Sequence, residues 1–228
     1  MTRLTCYSDF LERVDELGFM PMGAAVAGLP FLGEEVDPAS WHTGDVETDP
    51  WQWKDRAAAE KRAAYGCILG GEKGFVSARF YPIFLAACRP LEPMPERYES
   101  GVVNQTTWQL WSLFQAQTGL NTSEVRQLMK VTAKSGASRV ETSLGALQAE
   151  FYITVSGVRR RVAKNGKPFG WPASVFDRVE AWAPPEWLAE VSYYEQAEAR
   201  AMILDRGVEI GRGVDRAALR KLLKFGEG

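Results

Sequence analysis

The chain has 228 residues and a formal net charge of −2, with 46% hydrophobic and 25% charged residues. This is ordinary globular composition, and it excludes a collagen-like repeat, a long disordered charged tail and a disulfide scaffold. Three scattered cysteines, Cys6, Cys67 and Cys88, show no metal- or redox-type spacing and read as reduced thiols. The first residues lack the apolar region of a signal peptide, and no run of about 18 apolar residues occurs. A soluble cytoplasmic protein without a membrane partner is expected.

In chain order, Phe10, Val14 and Leu17 repeat at helical spacing up to Gly18, with Ser8 or Asp9 as the cap. Residues 20–50 read as a long Gly- and Pro-rich loop. Asp49 followed by Pro50 is a strong helix start, a carboxylate cap and then a proline at the first helical position, and the helix is expected to reach about Tyr65. Phe75-Val76 reads as a short strand, Ser77 as the cap of a helix containing Phe84 and Leu85, and Pro90, Pro93 and Pro95 as a linker.

From about residue 104 the pattern changes. Trp108, Leu110, Trp111 and Phe114 mark one helix, Asn121-Thr122-Ser123-Glu124 starts a second, and Ser138 opens a third with Val140, Leu144, Leu147 and Phe151 on one stripe. Residues 152–157 alternate as a strand, Asn165-Gly166 marks a tight hairpin, and a return strand runs through Phe169-Gly170-Trp171. Three helices followed by a hairpin is the winged-helix order. A long helix is expected from Pro185 to about Arg206, and a short one from Asp215 to Lys224. The predicted fold is therefore α+β and mostly helical. A winged helix-turn-helix core at 101–175 lies between helical flanks at 1–100 and 176–228.

The small net charge hides a gradient: residues 1–119 carry −6, residues 120–170 carry +6 and residues 171–228 carry −2. A local cationic segment, not the overall balance, sets attraction to a polyanion, although a merely solvated basic face is the competing reading. The third helix is poorly equipped to read bases. Opposite its apolar stripe stand Ser138, Thr142, Gly145, Ala146 and Ala149, and among long polar side chains only Arg139, Glu141 and Gln148 flank them. Either this helix approaches a phosphate backbone closely, or another element of the chain lies against it. On the hairpin, alternation places Arg159 and Arg161 on one face, with Lys164 and Lys167 near the tip. Such cations position a duplex through its phosphates, so duplex DNA bound with weak sequence selectivity is the expected partner.

The runs Trp41-His42-Thr43-Gly44-Asp45, Asp49-Pro50-Trp51-Gln52-Trp53 and Gly74-Phe75-Val76-Ser77, with Tyr152-Ile153-Thr154-Val155 and Gly170-Trp171-Pro172, resemble the AlkZ-related proteins over most of the chain. That group looks like a distant relative of the AlkZ (YcaQ-type) DNA glycosylases, which are built from winged helices and remove alkylated or cross-linked bases. The resemblance implies a DNA-repair context without fixing a reaction. The glycosylases carry a Gln-x-Gln-type pair in their N-terminal part. Here Gln115-Ala116-Gln117 lies far from the N-terminus and reads as a coincidence.

His42 and Asp45 are the candidates for activating water at an anomeric carbon, should the chain excise bases. The plainer reading makes Asp45 a turn residue and Asp49 a helix cap. The DNA-binding candidates are Arg139, Gln148, Arg159, Arg161, Lys164 and Lys167. No metal or cofactor is expected. The reading from another functional class is a non-catalytic protein whose winged helix mediates protein contacts or self-association.

Overall fold

The computed structural model describes residues 3–132, 134–162 and 166–226, without the side chains of residues 161 and 162. The chain opens with α1 (Tyr7–Leu17), β1 (Phe19–Pro21), the short α2 (Leu32–Glu35) and a 3-10 turn at Pro38–Ser40. The Thr5 backbone N–H donates to the Asp9 carboxylate, and α1 begins at Tyr7, ahead of both expected caps, Ser8 and Asp9. α3 (Pro50–Ala59) starts at the Asp49–Pro50 signal as read.

It stops well short of Tyr65. Lys61 takes a left-handed backbone with φ 55°, which ends the helix, and Ala63–Leu69 becomes strand β2, paired with β3 (Glu72–Ser77). β1 adds to the other edge of β3, giving an antiparallel sheet in the order β1-β3-β2. The helical N-terminal flank is thus corrected to a mixed one. β2 lies between two hydrophobic clusters, so its side chains are almost all buried and the alternation of a half-exposed strand is missing. Tyr65 and Phe75 point to one cluster; Ala64, Ile68 and Val76 point to the other.

α4 (Tyr81–Cys88) follows, and the expected proline linker holds a helix, α5 (Met94–Glu99), with Pro95 in its first turn. Next come α6 (Gln105–Ala116), β4 (Leu120–Asn121), α7 (Thr122–Leu128), α8 (Ala137–Ala149), β5 (Ile153–Val162) and β6 (Pro168–Arg178). The second sheet is antiparallel in the order β4-β6-β5. The expected 101–175 boundary falls inside β6. The expected boundary at 100 is bridged by one cluster that joins Phe10, Trp53 and Phe75 to Leu110, Leu144 and Ile153.

The C-terminal part holds α9 (Val179–Trp182), α10 (Pro185–Ala189), α11 (Gln196–Ile210) and α12 (Arg216–Leu222). The single helix expected over 185–206 is broken, because a 3-10 turn at Glu190–Tyr193 leads into extended backbone at Tyr194 and Glu195. α11 packs on α4 in the second cluster, and the Arg206 guanidinium donates to the carbonyls of Leu17, at 3.0 Å, and of Glu16 at the end of α1. Among the described residues no helix is long and apolar enough to cross a membrane.

Candidate nucleic-acid interface

The segment from α6 to β6 is positioned by its own acidic residues. Asn121 and Glu124 form a reciprocal capping box at the start of α7, as their spacing predicted. Glu124 also receives the Arg159 guanidinium of β5 at 2.5 Å, and Arg159 donates to the Gly119 carbonyl as well. Glu141 on α8 pairs with Arg126 on α7, and Glu150 pairs with Arg97 on α5 at 2.7 Å. All three carboxylates of the basic segment are therefore engaged. Arg159 is tied into the scaffold rather than held out for a ligand. Lys130, Lys134, Arg139 and Arg160 are exposed and make no ion pair within the described residues. Arg160 was not among the expected contacts. Lys167 is exposed just before β6; only the backbone of Arg161 is described, in β5, and Lys164 lies outside the described residues.

α8 is open over its first turns, and near its end Gln148 is closed off. Ser138, Arg139 and Thr142 are exposed, whereas the buried Gln148 accepts from the Cys67 N–H of β2 at 3.1 Å and donates to the Leu144 carbonyl at 3.0 Å. Gln148 is thereby corrected from a base contact to a clamp between α8 and the first sheet. Gly66, beside it in β2, has no room for a side chain, because a Cβ there would sit 2.6 Å from the Gln148 amide oxygen. Ala146 and Ala149 line a cavity of about 420 Å³ shared with α4, α11 and Phe225. Ala146 stays exposed and Ala149 half-buried on the wall of that cavity, so the small-residue face of α8 is only partly covered by the rest of the chain.

The hairpin stands apart. β4 is two residues long and reaches β6 only at Val175 and Phe176, so β5 and β6 continue beyond it as a two-stranded ribbon. Val158, Arg159 and Arg160 are exposed in succession; a strand with one covered face would bury every second residue. The register changes from Arg159↔Ala173 to Arg161↔Phe169, so Gly170, Trp171 and Pro172 lie opposite Arg160 alone. Gly170 has φ 72° and Pro172 has no N–H to give the ladder, and both features favour this bulge. Trp171 is 84% exposed and Phe169 49%.

The His42 loop is organised by Asp49. Its fully buried carboxylate accepts from the N–H groups of His42, Gly44 and Trp51, at 2.9–3.0 Å. His42 adopts φ 62°, and its exposed ring lies 5.0 Å from the Trp51 ring. Asp45 accepts from the N–H groups of Glu47 and Thr48, the role of a turn residue. No hydrogen bond joins His42 to Asp45 among the described residues.

Beneath Trp51 lies a pair that sequence reasoning missed. Lys54 and Asp55, only 6% and 7% exposed, are in contact at 2.5 Å, and the Lys54 ammonium sits 4.4 Å from the centre of the Trp51 ring. Burial pushes the Lys54 pKa down and the Asp55 pKa up, and each partner opposes the shift of the other. A Lys-Asp dipeptide among the buried Trp53, Ala57 and Ala58 of an amphipathic helix is its sequence signal. The missed exposure of Trp171 has a signal too, in the flanking Gly170 and Pro172. Gln115 and Gln117 are exposed at the end of α6, where Gln115 accepts from Arg178 at 3.2 Å.

Comparison with curated proteins and with solved structures gives no match. The family model described as AlkZ related matches residues 4–224. That span takes in the Asp49-capped loop, the clamped α8 and the protruding ribbon together, and the chain belongs to the AlkZ-related family.

Proposed function

We propose that the protein binds duplex DNA through the phosphate backbone with weak sequence selectivity, using the α6–β6 segment as a winged helix. The observation that carries this reading is the fate of the charges in the basic segment. Its carboxylates are consumed by internal pairs, while Lys130, Lys134 and Arg139 around the α7–α8 turn and Arg160 on the ribbon stay exposed. Cations so placed contact phosphates and carry no base information. The burial of Gln148 near the end of α8 supports weak selectivity, since the small residues left around it do not reach base edges. Family membership supports a DNA-repair setting.

The protein-interaction reading drew on the small-residue face of α8. Ala146 and Ala149 line an open cavity bordered by α4, α11 and Phe225, and the DNA-binding reading is preferred on the exposed cations rather than on this face.

The test is a labelled duplex titrated at several salt concentrations. Wild-type affinity falls with salt, and Arg139→Ala and Arg160→Ala each weaken binding to all sequences alike and reduce the salt slope by about 1. Unchanged binding by the double variant overturns the reading. Incubation with alkylated DNA, followed by heating in alkali, reports abasic sites. Breaks above a no-protein control that disappear in His42→Ala place His42 in base excision; breaks no higher than the control remove excision.

A further inference from the structure

From the ribbon we infer that Trp171 is a stacking platform for an unpaired nucleobase, so that the protein prefers duplex DNA containing a bulged or flipped-out base over a fully paired duplex. The inference rests on the DNA-binding reading and adds a ligand to a part of it that the phosphate contacts do not explain.

An indole that is 84% exposed leaves a large apolar surface in water, and Phe169 adds a second half-exposed ring on the same strand. The exposure follows from the backbone. The extra residues of β6 at the register change are Gly170, Trp171 and Pro172, and the bulge places them opposite Arg160. Val158, Arg160 and residues 168–171 are all exposed here, so among the described residues no element covers the ring.

The charge around the indole selects the occupant. Between Glu150 and Asp177 the sequence has no acidic residue and five basic ones; Arg159 is engaged by Glu124, and Arg160, opposite Trp171, is exposed and without an ion pair among the described residues. An aromatic face within a cationic, acid-free segment complements a nucleic acid, whose bases offer π faces and whose backbone offers phosphates. A paired base in an intact duplex already has neighbours on both faces and offers none to an indole. A base displaced from the stack does, and stacking it on an aromatic ring contributes about 1–3 kcal/mol.

The experiment uses the full chain and two labelled duplexes of equal length, one fully paired and one with a single bulged adenine, with fluorescence anisotropy at two salt concentrations. Wild type binds the bulged duplex about tenfold more tightly, Trp171→Ala binds both alike, and Trp171→Phe keeps most of the preference. Trp171 is exposed, so its variants leave the packed core intact, and their circular dichroism and melting temperature match wild type. Salt-sensitive binding with no preference for the bulge, or a preference that survives Trp171→Ala, overturns the stacking role and leaves the phosphate contacts standing. Absence of salt-sensitive binding to either duplex overturns both. Binding to anionic phospholipid vesicles that Trp171→Ala abolishes, without DNA binding, assigns the ring to a membrane surface and overturns the inference as well.

Discussion

The side-chain carbonyl of Gln148 on α8 accepts the backbone N–H of Cys67 on β2, 81 residues away, and this bond locks the third helix of the basic segment to the N-terminal sheet. Gln148→Ala leaves the Cys67 N–H and the Leu144 carbonyl without these partners in a buried setting. It is expected to lower stability by about 1–3 kcal/mol in urea denaturation. DNA affinity per folded molecule stays at the wild-type value, since the amide does not reach the surface. A loss of affinity without a loss of stability would return Gln148 to the interface.

Glu124 has two duties that one substitution separates. Glutamine still reaches back to the Asn121 N–H, so Glu124→Gln keeps the capping box while discarding the ion pair with Arg159. Arg159 then becomes available to phosphate. Affinity for duplex DNA rises about two- to fivefold at low salt, and the salt slope steepens by up to about 1. Unaltered salt dependence would show that Arg159 does not face the duplex.

The Lys54–Asp55 pair predicts strong non-additivity. Lys54→Met leaves a buried carboxylate alone and costs about 3–5 kcal/mol, whereas Lys54→Met with Asp55→Leu is close to wild type or more stable. Without the ammonium, burial alone acts on Asp55 and raises its folded pKa further above the ordinary value. The folded state then holds a proton that the unfolded chain releases above about pH 4, so the stability of Lys54→Met falls as pH rises through that range. Chemical denaturation of the four members of the cycle at pH 4 and pH 7 measures both effects. Additive losses would mean the two side chains do not depend on each other.

Cys88 is half-buried on the wall of the cavity beside α11, and desolvation there pushes its thiol up to about 12. A thiol raised in this way is almost wholly protonated at pH 8, so iodoacetamide labels it at least about tenfold more slowly than in denaturant. The rate climbs about tenfold per pH unit on the alkaline side. Peptide mass spectrometry after timed labelling reads this directly, and equal rates in folded and denatured protein would contradict the burial.

Local signals in the sequence were reliable where one side chain acts on its own neighbourhood. The Asp49–Pro50 start, the Asn121–Glu124 box and the Val140–Leu144–Leu147 stripe each involve groups within one or two helical turns, and the structure places these as expected; Phe151, the last residue of the predicted stripe, instead lies past the end of α8 with φ 56° and packs in the second cluster. The expected helix runs on into the first three residues of β2 because a strand buried on both faces has no period of two, and the Lys61 backbone that separates it from α3 has no glycine to announce it. The partner of Gln148 and the anion held by Arg159 lie in other elements, where residue type alone says nothing about pairing. The His42–Asp45 proximity in sequence became two unrelated local roles, because Asp49 and Asp45 each gather backbone N–H groups of the same loop.

The grip of Arg206 on the end of α1 has a consequence for how the chain reaches its native state. The two partners are about 190 positions apart, so the carbonyls of Glu16 and Leu17 meet this guanidinium only after that much further chain has left the ribosome. Loop closure over such a distance makes for slow maturation, and a fragment ending before Gln196 would lack both this latch and the helix that seals the second cluster.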